Sequence, residues 1–342
     1  MSTTRPGRRE RTTLSMLAAE AGVSLSTISK VLNGHTDVAP ATRQRVEGLL
    51  DEHEYRRRGT AAKGSTLLEL VFSDLANPWG AEIMTGVQEV AHQAGMSLVL
   101  SPSSPRHEPG PDWLPGVLQR RPAGVLLVST DPTPLLQERL TSRNIPFAVI
   151  DPAGELPQGI PSVGSTNWAG GLAATRHLIE LGHTRIAAVS GLTHMLCSWA
   201  RLDGYRSAMA SAGLPVREDW VHMGDFQPSG GRAAAERLFA TDDRPTAVFA
   251  GNDTQALGVI EVATERGLRV PEDLSVVGYD DTQVAVWARP SLTTVHQPIR
   301  RMAAEASRIV LRLAAGETVE RQRMELATHL VVRDSTAPPP RR

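Results

Sequence analysis

The sequence is nearly free of cysteine, and Cys197 is its only thiol. An internal disulfide framework and a cysteine-rich zinc site are therefore excluded. Long apolar runs are also absent: no stretch of about 18 apolar residues occurs, and the opening residues MSTTRPGRRER lack the hydrophobic segment that a signal peptide needs. We therefore expect a cytoplasmic protein without a membrane-spanning segment.

Several enzyme motifs are missing as well. No two glycines are separated by a single residue, which excludes the G-x-G-x-x-G dinucleotide turn, and no Walker-type phosphate loop occurs. The closest pair of histidines is His177 and His183, so a H-E-x-x-H metal helix is excluded, and there is no G-x-S-x-G nucleophile turn. These absences predict a protein that is not an enzyme and has no cofactor and no bound metal ion.

Length and charge indicate a chain of two parts. The 342 residues exceed one typical domain, and residues 1–64 carry a formal net charge of +4 whereas the remainder carries −5. Basic residues flank the first part on both sides, as Arg5, Arg8, Arg9 and Arg11 and as Arg56, Arg57, Arg58 and Lys63. Such clusters favour contact with DNA phosphates, although the first could equally be a solvated arm.

Residues Thr13 to Tyr55 have the pattern of three short helices. After Thr13, whose hydroxyl can cap a helix, apolar residues recur at helical spacing as Leu14, Leu17, Ala18 and Ala21. Gly22 interrupts the pattern, and Ser24 can cap a second helix from about Leu25 to Leu32. Pro40 opens a third helix with a buried stripe of Val46, Leu49 and Leu50.

Two short helices joined by a tight turn and packed on a third are typical of a helix-turn-helix. The second helix would turn Val23, Ile28 and Val31 inward and expose Leu25, Ser26, Ser29 and Lys30. It is therefore the candidate recognition helix for double-stranded DNA. The alternative is an ordinary three-helix bundle, since a glycine between two short helices is by itself a weak signal.

From Leu67 to about Val332 the chain alternates apolar strands with amphipathic helices, which predicts parallel sheets flanked by helices. The predicted strands are Leu67 to Phe72, Ser97 to Leu100, Gly124 to Ser129, Phe147 to Ile150, Arg185 to Ser190, Ala247 to Ala250 and Ser275 to Tyr279. The predicted helices are Trp79 to Ala94, Trp168 to Leu181, Arg201 to Ala212, Gly230 to Phe239 and Asp253 to Arg266. Two α/β lobes with a cleft at the carboxyl ends of the strands accommodate this number of elements.

The run AGVSLSTISKVLNG resembles the DNA-binding headpiece of the lactose/galactose repressor family of bacterial transcription regulators. Six later stretches resemble that family's effector domain, which has the fold of periplasmic sugar-binding proteins: SDLANPW, STNWAGGLAATRHLIELGHTRIAAVSG, RLDGYRSAM, AVFAGNDTQALGVI, LSVVGYDD and LTTVHQP. The resemblance implies an N-terminal all-α helix-turn-helix headpiece followed by an α/β effector domain of two Rossmann-like lobes. It also implies that the chain crosses three times between the lobes and that the last helix, near Pro298 to Leu313, returns to the first lobe.

These patterns together predict the domain organisation. We expect a basic arm at 1–11, a helix-turn-helix domain at 12–57, a hinge at 58–66, a two-lobed effector-binding and dimerisation domain at 67–335, and a tail at 336–342.

Within the headpiece, Lys30 is predicted to read a guanine edge, and Leu25 and Ser26 to choose among neighbouring base pairs. The other predicted DNA-binding residues are Ser24, Ser29, Asn33 and Thr42, which are better placed for phosphates, together with Thr13, Thr27 and Tyr55. The family's hinge usually opens with Pro-Asn and wedges a leucine into the minor groove. This chain has Arg56 to Arg58 at the opening and Gly64 at the wedge position, so we expect the arginines Arg56, Arg57 and Arg58 to contact the backbone or a narrow minor groove instead.

The resemblance also implies an effector site. Arg201 in RLDGYR resembles the family's effector-clamping arginine, Asp280 in VVGYDD its partner carboxylate, and Asn252 in AGND a further strand-end ligand. The remaining candidates are Asp74, Asn77 and Asp151 at strand ends of the first lobe, Gln297 on a crossover, and Trp79 and Phe226 as stacking surfaces. Two alternatives stay open. Asn252, Asp280 and Asp281 could cap helices or fix turns, and Trp168, Trp199 and Trp287 could either stack on a sugar or pack in the core.

The predicted function is that of a ligand-responsive transcription regulator, a repressor of carbohydrate-utilisation genes that binds a palindromic operator as a homodimer and responds to a sugar. A purine or nucleoside effector is the alternative within the family. A sugar-binding or sugar-processing protein is the alternative outside it.

Overall fold

The computed structural model describes residues 13–32, 38–53, 65–72, 77–103, 113–241, 243–320 and 322–340. The predicted basic arm and most of the predicted hinge lie outside these residues. Among the helices that the structure does describe, none combines the length and the apolar character needed to cross a bilayer.

The N-terminal part folds as three short helices: α1 (Leu14–Ala21), α2 (Leu25–Leu32) and α3 (Pro40–Glu52). Thr13 caps α1, where its Oγ1 accepts from the Met16 N–H at 3.3 Å, and Gly22 ends the helix with a left-handed φ of 64°. Leu17, Ile28 and Val46 are fully buried between the three helices. The predicted helix-turn-helix is therefore confirmed.

The first lobe is a six-stranded sheet in which all strand pairings are parallel. Its strands are β1 (Leu67–Phe72), β2 (Ser97–Pro102), β3 (Gly124–Val128), β4 (Phe147–Ile150), β5 (Ser162–Ser165) and β11 (Arg323–Leu326), in the spatial order β11-β5-β4-β3-β1-β2. Its helices are α4 (Pro78–Gln93), α5 (Trp113–Arg120), α6 (Pro134–Thr141) and α12 (Ile299–Ala314). Apolar residues from both faces of the sheet form two buried clusters, which is expected when helices cover both sides of a parallel sheet.

The second lobe repeats this architecture. Its strands are β6 (Ile186–Ser190), β7 (Val221–Met223), β8 (Ala247–Ala250), β9 (Ser275–Asp280), β10 (Thr293–His296) and β12 (His329–Val331), in the order β12-β10-β9-β8-β6-β7. Its helices are α7 (Asn167–Glu180), α8 (Leu196–Ser211), α9 (Pro228–Leu238), α10 (Asp253–Glu265) and α11 (Gln283–Trp287), with one 3₁₀ turn at Glu218–Trp220. Only β12 pairs antiparallel in this sheet.

The chain crosses between the lobes after β5, after β10 and after β11, as the resemblance implied. The second crossover delivers α12 to the first lobe, where Gly86 of α4 approaches it so closely that a Cβ there would overlap the Arg300 carbonyl oxygen. Thr166 and Thr328 tie the first and third crossovers together, with their hydroxyl oxygens 3.0 Å apart. The crossovers therefore form one hydrogen-bonded hinge between the lobes.

Sequence patterns misplaced one boundary and missed several short elements. The helix predicted to begin at Arg201 begins at Leu196, because Cys197 and Ser198 are buried and extend it by five residues of weak apolar periodicity. Strands β5, β7, β10, β11 and β12 and helices α5, α6 and α11 were not predicted. These elements are short, and their residues acquire a strand or helix environment only from the neighbours against which they lie.

Candidate functional site: headpiece surface and interlobe cavity

Helix α2 presents one face to the headpiece core and the opposite face to solvent. Ile28 and Val31 are fully buried, whereas Leu25 is 51 % exposed and Ser26 and Lys30 are exposed beside it. An exposed apolar side chain at the start of a recognition helix is suited to contact with thymine methyl groups in a major groove.

The hydroxyls at the start of α2 are linked to one another. Ser24 Oγ accepts from the Thr27 N–H at 3.1 Å and lies 2.7 Å from Ser26 Oγ and 2.9 Å from Thr27 Oγ1. Ser24 therefore caps the helix as predicted, and the same contacts fix the direction of Ser26. This cluster holds polar groups ready at the helix N-terminus, where phosphate oxygens bind favourably.

The other predicted DNA-binding residues divide into two groups. Thr13, Ser29 and Thr42 lie on or beside the three helices. The second group lies outside the described residues and consists of Asn33, Tyr55, Arg56, Arg57 and Arg58. Lys63 and Gly64 of the hinge also lie outside them.

A cavity of about 350 Å³ lies between the two lobes at the carboxyl ends of their strands. This volume falls within the range of small-molecule sites, roughly 300–1,000 Å³. Seven of the predicted effector residues line it: Asn77, Trp79, Asp151, Arg201, Phe226, Asn252 and Asp280. Of the two that remain, Gln297 is not a lining residue and Asp74 lies outside the described residues.

Arg201 is the central cation of the cavity. It is only 3 % exposed, its Nε donates to Asn167 Oδ1 at 2.8 Å and its Nη1 donates to the Gly251 carbonyl at 2.6 Å. The guanidinium also lies 3.7 Å from the centroid of the Tyr279 ring. Because these contacts come from three separate segments, the direction of the guanidinium is fixed before any ligand arrives.

Two buried carboxyls face this arginine. Asp280 Oδ1 lies 3.6 Å from Arg201 Nη2, beyond hydrogen-bond distance, and has no hydrogen-bond partner among the described residues. Burial raises the pKa of the Asp280 carboxyl well above its usual value, Arg201 opposes the rise, and the carboxyls of Asp253 and Asp151 add to it. Burial likewise raises the pKa of Asp151, against the charge of Arg201. An unpaired buried acceptor of this kind favours a ligand that donates a hydrogen bond.

The cavity is also where the backbone is most unusual. Four non-glycine residues with a left-handed backbone line it: Ser129, Asp151, Phe226 and Asp280, with φ of 48°, 49°, 61° and 101°. Such conformations cost about 1–3 kcal/mol each and persist where the surrounding structure enforces them, often at ligand sites. The Phe226 ring is placed by Gly191, since a Cβ at Gly191 would overlap it.

Asn252 and Asn77 combine a lining position with a structural one. Asn252 Oδ1 accepts from the Gln255 N–H at 2.9 Å and caps α10, while its Nδ2 donates to the Phe226 carbonyl at 3.0 Å. Asn77 Oδ1 accepts from the Trp79 N–H at 2.9 Å and caps α4. The capping alternative considered for Asn252 therefore holds, although the residue also lines the cavity.

Gln297 lies on the second crossover, where its side chain is held by the first lobe and does not line the cavity. Its Oε1 accepts from Trp79 Nε1 at 3.1 Å and its Nε2 donates to Ser165 Oγ at 2.9 Å, and the residue is 1 % exposed. Trp79 is thus held by its ring nitrogen and leaves its ring faces to the cavity and to Phe72, whose ring centroid is 5.8 Å away.

Several lining residues were not found from the sequence. They are Phe72, Ser103, Ser129, Leu192, Met195, Asp225 and Gln227, and Cys197 joins them. Burial raises the pKa of the Cys197 thiol to about 12, so at neutral pH it is a protonated apolar contact and not a nucleophile. Ser129 is the last residue of one predicted strand and Ser103 lies three residues after another, which is the one signal that could have indicated them.

The three other tryptophans considered as stacking surfaces do not line this cavity. Trp168, Trp199 and Trp287 are 47 %, 42 % and 68 % exposed. They are therefore neither core residues nor part of the effector cavity. Among the described residues, no group of three or more His, Cys, Asp or Glu side chains could hold a metal ion.

Two family models match this sequence. Residues 13–58 match the model described as bacterial regulatory proteins, lacI family, and residues 175–336 match the periplasmic binding protein-like domain. The first match coincides with the three-helix headpiece, and the second covers the second lobe and the return through α12.

Curated relatives align over nearly the whole chain. The transcriptional regulator CelR of Thermobifida fusca is 38 % identical over 344 residues, covering 96 % of this chain and 99 % of that protein. The transcriptional repressor PurR of Vibrio campbellii is 34 % identical over 328 residues, covering 94 % and 98 %. Catabolite control protein A of Priestia megaterium is 34 % identical over 325 residues, covering 94 % and 98 %.

Solved structures agree with these relatives. A complex of the regulator CelR with cellobiose superposes with a TM-score of 0.72 at 37 % identity, covering 95 % of this chain and all of that chain. The lac repressor dimer bound to operator and an anti-inducer superposes with a TM-score of 0.68 at 28 % identity, covering 96 % and 100 %.

Proposed function

Because the chain belongs to the LacI family of bacterial transcription regulators, we propose that it is a repressor whose affinity for a palindromic operator is switched by a neutral sugar bound between its lobes. The observation that supports this most directly is the interlobe cavity, where Arg201 opposes the Asp280 carboxyl beside the aromatic rings of Trp79 and Phe226. Asp280 Oδ1 has no hydrogen-bond partner among the described residues. A sugar has hydroxyls for the two charged groups and an apolar face for the rings.

The charges that line the cavity favour a ligand without negative charge. Asp151, Asp225 and Asp280 contribute three carboxyls, and Arg201 is the single cation among the described lining residues. A sugar phosphate would bring two negative charges into this buried site and would have one guanidinium to pair with. Desolvation of an unpaired charge is expensive, so neutral mono- or disaccharides are the preferred class.

The proposed switch is closure of the lobes. In this structure the Leu196 N–H of the second lobe donates to the Ala153 carbonyl of the first at 2.7 Å, and Ala153 packs on Met195 and Cys197. An effector that touches both Asp151 and Asp280 binds the closed arrangement more tightly than an open one. Since binding and closure are linked, the effector shifts the population and with it the spacing of the headpieces.

A homodimer completes the proposal. One headpiece with a recognition helix of eight residues covers too little DNA for specific binding, whereas two headpieces related by a two-fold axis can read two half-sites about one helical turn apart. Sedimentation of the full-length chain is expected to give twice the monomer mass. The arginines Arg56, Arg57 and Arg58 are proposed to add phosphate or minor-groove contacts at the centre of such a site.

Two linked measurements test the function. A thermal-shift screen of the full-length chain against cellobiose, other neutral sugars, sugar phosphates and purine bases should find a stabilising neutral sugar, and that sugar should change operator affinity measured by fluorescence anisotropy. The operator itself is obtained by selecting binding sites from random DNA. Removal of residues 1–60 should abolish operator binding and leave the thermal shift, and a stabilising sugar without any effect on DNA affinity would contradict the proposal.

A purine is the second candidate for the effector. The observation in its favour is that Trp79 and Phe226 present aromatic faces to the cavity, which suit a planar base as well as a sugar ring. The same screen decides between them, because a stabilising purine with no sugar response would replace the sugar in the proposal while keeping the regulator.

A further inference from the structure

A second concave surface lies where the two lobes meet, on the side of the first sheet that ends in β11. We call it the tryptophan groove, and its volume is about 630 Å³. Both lobes line it: the first through Asp151, Pro152, residues 154–156, Ser162, Gly164, Ser165 and residues 323–325, and the second through residues 166–169, Leu196, Cys197, Trp199, Ala200 and Asp203. Ala153 contacts Leu196 and Cys197 where the groove meets the effector cavity, and Asp151 and Cys197 line both. The tryptophan groove is therefore a second site that shares a wall with the first.

Its apolar wall is exposed and preformed. Trp168, Trp199 and Leu196 are 47 %, 42 % and 44 % exposed, although such side chains are normally covered. Trp168 lies on α7 and Trp199 on α8. These helices approach closely because Gly204 meets the Trp168 carbonyl with no side chain between them.

The ring of Trp199 is fixed as well, since its Nε1 donates to the Thr193 carbonyl at 2.7 Å. The groove is thus lined by two indoles, one of which is held by a hydrogen bond. Little ordering entropy of Trp199 would be lost when a ligand lies against its ring.

The polar part of the groove is acidic. Glu155, Asp203 and Glu325 are exposed, and none of them forms an ion pair within the part of the chain that the structure describes. The one basic lining residue, Arg323, directs its guanidinium to the carbonyls of Leu156 and Pro157. Three exposed carboxylates against one guanidinium leave the described lining of the groove with a net negative charge.

We propose that the tryptophan groove binds an organic cation, with an alkylammonium group against the face of Trp168 or Trp199 and the carboxylates of Glu155, Asp203 and Glu325 around it. Indole faces attract ammonium groups through the ring quadrupole, and this attraction is largest for tryptophan. A neutral sugar could use the indoles but would leave the net negative charge of the groove unneutralised, and an anion would be repelled.

Occupation of the groove should influence the effector cavity. Because the lining comes from both lobes, a cation there favours one lobe arrangement, and linkage then requires that it change the affinity of the cavity for its own ligand. This second part depends on the function proposed above, whereas binding of the cation does not.

The test is a titration of the full-length chain with spermidine at about 0.15 M salt, followed by calorimetry and by tryptophan fluorescence. The salt suppresses diffuse attraction to exposed charges. Trp168→Leu, and separately the pair Asp203→Asn with Glu325→Gln, should each weaken binding about three- to thirty-fold. The matched controls are Trp287→Leu, an exposed tryptophan elsewhere, and Glu272→Gln, an exposed carboxylate elsewhere, and both should bind as the unmodified chain does.

Equal spermidine affinity in the groove variants and the unmodified chain would overturn the proposal, because binding would then reflect surface charge in general. Binding of a neutral methyl glucoside that depends on Trp168 would overturn it too, since the groove would then accept a sugar.

The linkage between the groove and the effector cavity is measured without DNA. The measured quantity is the affinity of the chain, at saturating spermidine, for the effector found in the thermal-shift screen. An unchanged affinity overturns the linkage. Failure of the proposed regulator would show instead as absent operator binding, which this titration does not involve.

Discussion

Replacement of Arg201 by alanine is the perturbation that probes the interlobe cavity most directly. The substitution removes the hydrogen bonds to Asn167 and Gly251 and the cation that faces Asp280 and Asp151. Both carboxyls stay buried, so they are left in a low-dielectric site without a counter-charge. Breaking a buried ion pair from one side typically costs about 3–5 kcal/mol, and we expect the free energy of unfolding to fall by that amount near neutral pH.

The loss should depend on pH in a defined direction. The pKa of Asp280 is already raised by burial, and removal of Arg201 raises it further. Above the ordinary carboxyl pKa near 4, the unfolded state releases the proton of this carboxyl while the folded state of the variant still binds it. The free energy of unfolding of the variant therefore falls as the pH rises from about 4 through the raised pKa of Asp280. Relative to the unmodified chain, the variant should be least destabilised near pH 5 and most destabilised near pH 8.

The assay is urea denaturation at pH 5, 6.5 and 8, on the unmodified chain, on Arg201→Ala and on the double variant Arg201→Ala with Asp280→Asn. The double variant removes the orphaned charge, so it should be more stable than the single variant at pH 8. Arg206→Ala is the control, because its ion pair with Glu218 is exposed and should be worth less than about 1 kcal/mol at every pH. A destabilisation by Arg201→Ala that is the same at all three pH values would refute the electrostatic argument.

Three further outcomes are expected. Gly171→Ala should lower the free energy of unfolding by about 1–3 kcal/mol, because its Cβ would overlap the Arg201 carbonyl. Gly48→Ala, in open space on α3, should raise the free energy of unfolding by about 0.5–1 kcal/mol. Chemical denaturation that gives both changes the same sign would contradict this expectation. Burial lowers the pKa of His183, so below pH 6.5 the unfolded chain binds a proton that the folded chain does not, and the free energy of unfolding falls as the pH falls. In His183→Asn the slope of the free energy of unfolding against pH should lessen by up to about 1.4 kcal/mol per pH unit. An unaltered slope would contradict the assignment. Lys30→Ala should weaken binding to the selected operator by about 1–3 kcal/mol without lowering the melting temperature. If fluorescence anisotropy shows an equal loss of affinity for unrelated DNA, Lys30 contacts phosphate instead of a base.

The comparison of sequence with structure is most informative at the strand ends of the cavity. Asp151, Asn252 and Asp280 could be named in advance from the family resemblance together with their positions at strand ends. Asp151 and Asp280 directly follow predicted apolar strands, Asn252 lies two residues after one, and parallel strands end at one edge of a sheet. Leu192, Met195 and Asp225 lack that signal, since they lie in segments whose approach to the cavity depends on how the lobes meet. Gln297 carried a sequence signal, but its amide is occupied by Trp79 and Ser165 across the crossover.

The sequence by itself determined the helix-turn-helix and many of the strands and helices, because these follow from local periodicity and capping residues. The family motifs spaced along the chain implied the lobe to which the last helix returns. Only the tertiary structure decided which side chains share a cavity and in which direction their pKa values shift. Arg201, Asp151 and Asp280 come from three distant segments, and their pKa shifts arise from mutual burial. The same is true of Trp168 and Trp199, whose exposure on one groove depends on the close packing of α7 and α8. Burial and charge pairing are properties of the space between segments, and local periodicity carries no information about that space.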